Sequence, residues 1–141
     1  MEAIRELETE RGILASGRKD LFGCVFGRDS LITALLLLRV YEKNQDQYLL
    51  LLVRNILVNL AKLQGREHNP ESGEEAGKII HEFRSENHEH LTKSQEHPWY
   101  VYPDGIMRNY DTVDATPLFL IAVEKYYSLS SDEEFLDLLK G

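Results

Sequence analysis

Apolar side chains in this chain fall into runs of helical spacing, separated by a long stretch in which the spacing is lost. The densest run, Leu31, Ile32, Ala34, Leu35, Leu36, Leu37, Leu38 and Val40, leaves no polar face until Arg39. It predicts a helix from about Asp29 to Lys43, and a helix apolar all round has to be enclosed on most sides. Asp29 or Ser30 can cap it, since either side chain can accept from the free amides of a first turn. After Lys43-Asn44-Gln45, a second helix is predicted from Asp46 to Gln64. Its stripe is Leu49, Leu52, Val53, Ile56, Leu57, Leu60 and Leu63, with Arg54, Asn55, Asn59 and Lys62 opposite. Gly65 stands where a left-handed C-terminal cap is expected. The short join makes these helices an antiparallel pair.

The remaining elements are weaker. Ile4 and Leu7 predict a short surface helix over residues 2–10, ended by Gly12. From Gly12 to Gly27, Leu21, Phe22, Val25 and Phe26 give apolar weight without a period, which reads as an ordered, partly buried loop. Arg66 to Asp111 holds three of the four prolines and all five histidines. Connections in compact domains usually run to about 4–6 residues, and much longer ones are usually functional or disordered. Within this one, Ile79-Ile80 and Trp99-Tyr100-Val101-Tyr102 are short enough for strands, and Ser85 to His97 is polar enough for a mobile tip. A third helix follows Asp111-Thr112-Val113-Asp114 and runs through Tyr127, with Pro117 tolerated in its first turn. Ser130 or Ser131 caps a fourth, Asp132 to Lys140. Phe135, Leu136, Leu138 and Leu139 on that last helix call for a covering partner, so we expect one domain over residues 1–141, truncated after Gly141.

Charge and cysteine content narrow the classes. A net charge of −8 repels phosphate backbones and anionic lipid, so neither nucleic acid nor a membrane is an expected partner. The Leu31–Leu38 run is well short of the ~20 residues that span a bilayer. The N-terminus mixes charges of both signs, unlike a secretion signal. The single Cys24 cannot form an internal disulfide. Together these predict a cytoplasmic protein.

Chemistry is concentrated in a few places. Arg28 and Asp29 put a cation and a carboxylate beside Gly27 at a helix start, which suits sugar hydroxyls but equally suits a plain cap. Between Gly73 and Arg84, Lys78, His81, Glu82 and Arg84 interleave with Ile79, Ile80 and Phe83. Such a cluster can grip hydroxyls or supply a base, and a surface ion-pair cluster has the same pattern. His81-Glu82 is half of a zinc-protease motif, but Ser85 replaces the second ligand. His88, His90 and His97 with Glu89 sit in the most solvated segment, so no metal is expected, and no cofactor fingerprint is present. Asp111 and Asp114 precede a helix near Trp99, Tyr100, Tyr102 and Tyr110. Carboxylates beside aromatic rings are the usual wall of a carbohydrate site, although core packing explains the same rings.

Phe-Gly-Arg-Asp-Ser-Leu-Ile at 26–32, Gly-Lys-Ile-Ile-His-Glu-Phe-Arg at 77–84 and Thr-Val-Asp-Ala-Thr-Pro-Leu-Phe at 112–119 resemble, in this order, motifs of glycogen-debranching enzymes of the amylo-α-1,6-glucosidase type. The resemblance spans about Ile13 to Tyr127. It implies an all-α fold, part of an (α/α)6 toroid of helical hairpins with a long loop carrying short strands. It also implies a glycoside hydrolase acting on α-glucosidic bonds of glycogen or malto-oligosaccharides. Carried over by motif, Arg28 and Asp29 would contact the terminal glucose, Lys78, His81, Glu82 and Arg84 would line or brace the cleft, and Asp114 with Thr116 would complete its wall. Ala76 departs from the family's usual proline, and Tyr110-Asp111 from its tyrosine-glycine. The later segments expected to carry the general acid and base are absent. Inverting hydrolysis needs two carboxyls about 6.5–9.5 Å apart, so the chain is expected to lack its catalytic pair, with Glu82 and Asp114 the carboxylates that remain as catalytic candidates. The rest of the toroid on another chain is the partner this implies, and a non-catalytic carbohydrate-binding or helical interaction module is the alternative.

Overall fold

The computed structural model describes residues 2–93 and 96–139. Helix α1 (Glu2–Leu7) leads into a small hairpin of β1 (Glu8–Thr9) and β2 (Gly12–Ile13). Strand β3 (Val25–Phe26) then runs without a break into α2 (Gly27–Asn44), which is followed by α3 (Gln47–Lys62). Strand β4 (Glu82–Arg84), the short α4 (Glu89–Thr92), β5 (Met107–Asn109), α5 (Ala115–Ser130) and α6 (Glu133–Leu139) complete the order.

The all-α partial toroid is therefore corrected to a mixed fold: helices packed together, with two small antiparallel sheets. Strands β3, β4 and β5 pair in that order, with Val25 opposite Phe83, Phe26 opposite Glu82 and Phe83 opposite Arg108. The long connection is thus not one polar loop. Its backbone amides and carbonyls need partners wherever water is excluded, and Phe83 and Met107 are apolar enough to be buried while their backbones pair. The strands do not fall at Ile79-Ile80 or Trp99–Tyr102. Ile79 and Ile80 are fully buried, but their backbone serves tertiary contacts instead of a ladder. Part of the polar tip from Ser85 to His97 is helical in α4, while Ser94 and Gln95 lie outside the described residues.

The helical pattern holds well. Asp46 caps α3, its side chain accepting from the Tyr48 amide at 3.1 Å, and α2 and α3 meet along Leu31, Leu38, Leu49, Val53 and Ile56 within one core. α5 packs on both. Ion pairs Arg28–Asp114, at the helix starts, and Glu42–Lys125, toward the helix ends, show that α2 and α5 run in the same direction. α6 is covered within the chain only in part: Phe135 is fully buried, its ring edge-on to Tyr126 at 4.6 Å, and Arg54 of α3 pairs with Asp132 at 2.9 Å, whereas Leu138 is 47% exposed. Lys140, the expected end of that helix, lies outside the described residues.

Three caps differ from expectation for identifiable reasons. Neither Asp29 nor Ser30 caps α2; Phe26 holds the cap position, and the Gly27 amide donates to the His81 carbonyl at 2.9 Å. Gly65 is not left-handed but lies against the Glu75 carbonyl, where a Cβ would come within 2.3 Å. Ser131 is the left-handed residue that ends α5, and Asp132 accepts from the Phe135 amide to start α6. Among the described residues no helix is long and apolar enough to cross a membrane.

The junction of β3 and α2 allows a direct check. A Cβ on Gly27 would lie 1.9 Å from the Ile80 carbonyl oxygen, and backbone on both sides leaves little room to yield. Gly27→Ala is expected to destabilise the chain by about 1–3 kcal/mol, the usual cost of overpacking. Urea denaturation followed by circular dichroism measures it, and an unchanged midpoint would contradict the junction described.

Candidate functional site

Motif segments far apart in sequence are brought to one end of the helical layer. The 77–84 segment lies between the other two. Its Ile79 amide donates to Thr116 Oγ1 at 3.0 Å, on the first turn of α5. Its His81 carbonyl receives the Gly27 amide at the start of α2, and the His81 amide donates to the Asn109 carbonyl at 2.8 Å on the β5 side. Arg28 then closes the arrangement with a 3.3 Å ion pair to Asp114, both side chains about half exposed. Lys78 reaches back to the Gly73 carbonyl at 2.9 Å.

Arg28 and Asp114 are thus paired beside Thr116 and the backbone of the segment that carries Lys78 and His81. Asp114 accepts from the Thr112 hydroxyl at 2.8 Å, and this bond, with help from Arg28, holds its carboxyl below the ordinary carboxylate range. It is ionised at neutral pH, so it accepts hydrogen bonds and cannot donate a proton. Asp29 is exposed but lies elsewhere, lining a 290 Å³ cavity with Ile4, Leu7 and Ile13.

Glu82 and Arg84 face inward. They form an ion pair with both side chains 4% exposed. Alternate residues of a strand share a face, which sets the two groups side by side. Arg84 also donates to the Leu21 carbonyl at 2.7 Å and the Asn87 carbonyl at 3.3 Å, and the Cys24 thiol lies 3.6 Å from Glu82 Oε1. The pair therefore braces the Gly17–Gly23 loop from beneath. Burial, above all, pushes the Cys24 thiol up to about 12, so it is protonated at neutral pH and no nucleophile.

A second buried network supports the other side. Glu74 accepts from the Arg66 amide at 2.8 Å and from the Tyr102 hydroxyl, which also meets Ser72 Oγ at 2.8 Å. Arg108 lies over the Tyr102 ring at 4.8 Å, and the Tyr110 hydroxyl donates to the Leu63 carbonyl at 2.9 Å. Tyr102 and Tyr110 are thus structural posts more than an open sugar wall.

The aromatic surface overlooked in the sequence is Phe22 and Phe26. Their ring centroids are 6.1 Å apart, and Phe26 continues edge-on to His81 at 5.7 Å. Phe22 is 56% exposed. An aromatic in a loop carries no periodicity to mark it, and its proximity to His81 depends on the pairing of β3 with β4.

A cavity of about 380 Å³ lies beside β4. It is lined by Thr9, Arg11, Arg18, Asp20, Phe83 and Asn87 among others, and of the expected site residues includes only Arg84. Its position under the braced loop does not coincide with the Arg28–Asp114 face. Among the described residues no group of three or more His, Cys, Asp or Glu side chains is placed to hold a metal ion. No protein-family model, curated protein or solved structure matches this chain.

The buried networks lead to two expected outcomes. Removing one partner of a buried ion pair strands the other charge, so Glu82→Ala should cost about 3–5 kcal/mol, measurable by urea denaturation; a loss within the range of a surface substitution would refute the buried brace. Glu74 is one of the carboxylates that make stability depend on pH. Burial pushes its carboxyl up, but the Tyr102 hydroxyl and the Arg66 and Glu67 amides outweigh this and leave it below the ordinary 4.5. A folded-state value below the unfolded one means that its stabilisation is complete above pH 4.5 and is lost as pH falls below it. In acid melts, Glu74→Gln should therefore show a shallower decline below that pH than the parent chain.

Proposed function

We propose that the face around Arg28, Lys78, His81 and Asp114 binds hydroxyls of an α-glucan or malto-oligosaccharide. On this reading the chain is the substrate-binding part of a cytoplasmic glycoside hydrolase of the amylo-α-1,6-glucosidase type. The observation that carries the reading is the meeting of the 26–32, 77–84 and 112–119 segments through the Gly27–His81, Ile79–Thr116 and Arg28–Asp114 contacts. Residues that had only a motif in common become neighbours. A half-exposed cation and carboxylate can exchange their mutual contact for sugar hydroxyls, and the Phe22–Phe26–His81 rings offer an apolar surface to a sugar face.

Turnover is a separate matter. Glu82 is sequestered with Arg84, and Asp114 is ionised beside Arg28. Glu82 is thus closed off from a glycosidic oxygen and Asp114 is no proton donor, so the acid and base of hydrolysis would come from outside these 141 residues. The same observation favours a second reading, a carbohydrate-binding module without catalysis.

Calorimetric titration with maltotriose and longer malto-oligosaccharides, run beside a glucose-release assay, tests both readings. Saturable binding without glucose release is the expected result. Asp114→Ala should weaken binding by about tenfold. Its thermal midpoint should hardly move, because an exposed ion pair contributes little to folding. No binding by the parent chain would sink the proposal, and glucose release would sink the assignment of missing catalytic groups.

A further inference from the structure

The outer face of α2 carries a stripe of exposed apolar residues, with the exposed Arg39 at its flank. Ile32, Leu36 and Val40 are 44%, 54% and 44% exposed. Asp29 and Lys43 lie beyond them at the two ends of the same stripe, both exposed, and neither makes a salt bridge among the described residues. The steps from Asp29 to Ile32, Leu36, Val40 and Lys43 are three, four, four and three residues. Steps of three and four keep side chains on one side of a helix, so these five residues form a single seam.

The seam is palindromic about Leu36. Turned end over end, it puts Asp29 where Lys43 was, Ile32 where Val40 was, and Leu36 on itself. A carboxylate faces an ammonium at each end, and apolar residues face each other between them. A surface with this pattern is complementary to its own copy, which is the requirement for an isologous two-fold interface.

We propose that this chain forms a homodimer in which α2 packs antiparallel against α2 of a second copy, with Leu36 meeting Leu36 on the two-fold axis and Asp29 pairing with Lys43 across it. The helix has 18 residues, about 27 Å at 1.5 Å per residue, long enough to present the whole seam. Leu120 and Ile121 of α5, 65% and 54% exposed, add apolar surface on the helix packed beside α2. At the other flank, the 290 Å³ cavity bounded by Asp29, Ile32 and Thr33 offers room for the Lys43 stem of the second copy. One helix pair buries less than a standard interface, as weak and transient complexes do. The seam is distinct from the Arg28–Asp114 face, and the dimer does not depend on the proposed sugar binding.

Sedimentation equilibrium on the whole chain across the micromolar range is the first test: a species of about twice the 16.3 kDa chain mass is expected. Leu36→Glu puts two carboxylates on the axis and should weaken dimerisation by about a hundredfold, since like charges juxtaposed in an interface cost several kcal/mol. Asp29→Lys and Lys43→Asp should each weaken it by about tenfold, through like charges at both ends. Mixed in equal amounts, these two variants should form a heterodimer by native mass spectrometry, because each then presents the charge the other lacks. A parent chain that stays monomeric, a dimer indifferent to Leu36→Glu, or no heterodimer from the mixed variants would each overturn the proposal.

Discussion

The side of the molecule that carries β3 and β4 rests on the buried ion pair between Glu82 and Arg84. Two charges removed from water together are tolerated only if their remaining hydrogen-bonding capacity is met, and here two backbone carbonyls and a thiol meet it. Arg84 takes the carbonyls of Leu21 and Asn87, and Glu82 has the Cys24 thiol beside it. The loop before β3 is thereby fixed to β4, and β3 leads directly into α2. The salt bridge thus acts together with the β3–β4 pairing and the Gly27–His81 bond at the start of the longest apolar helix. Glu74, with Tyr102, Ser72 and the Arg66 amide, fixes the start of the 73–84 segment in the same manner. Between these two anchors the segment has few degrees of freedom, which is why Ile79 and His81 can offer backbone groups at defined positions.

The parallel course of α2 and α5 follows from that anchoring. Both helices start against the same segment, through the Gly27 amide and through Thr116 Oγ1. Their N-terminal ends, each with free amides and a partial positive charge, therefore lie side by side. A carboxylate is favoured at such a place, and Asp114 occupies it with Thr112 and Arg28 as partners. The polar face and the packing of the helices are two consequences of one arrangement.

The parts legible from sequence were those governed by local periodicity. The α2/α3 pair and α5 could be placed from leucine and alanine spacing, because a packed helix repeats its buried side every turn. The three-stranded sheet could not, because strands as short as Val25–Phe26, Glu82–Arg84 and Met107–Asn109 carry no repeat and exist only through pairing across the fold. The inward direction of Glu82 and Arg84 was hidden for the same reason. Charged residues in a polar stretch read as surface groups until the strand that aligns them is known. The grouping of Arg28 with Asp114 came from motif order, while the separation of Asp29 from them is a matter of helix phase: successive residues of an α-helix point about 100° apart.

Helix phase also accounts for the tension in α2. A helix apolar all round has to be covered all round, yet α3 and α5 occupy only the side that buries Leu31, Ala34, Leu37, Leu38 and Tyr41. The cost of leaving Ile32, Leu36 and Val40 in water is borne by the rest of the core, since each buried apolar side chain is worth only ~1.5–3 kcal/mol. On the Arg28 side of the same helix, the polar groups are tied into neighbouring elements. One helix thus presents a braced polar edge toward α5 and an unbraced apolar seam toward solvent. For a chain with a net charge of −8, the two surfaces select different chemistry. The polar edge suits a neutral, hydroxyl-rich ligand that does not meet the overall repulsion, and the seam suits a surface whose charges reverse its own from end to end.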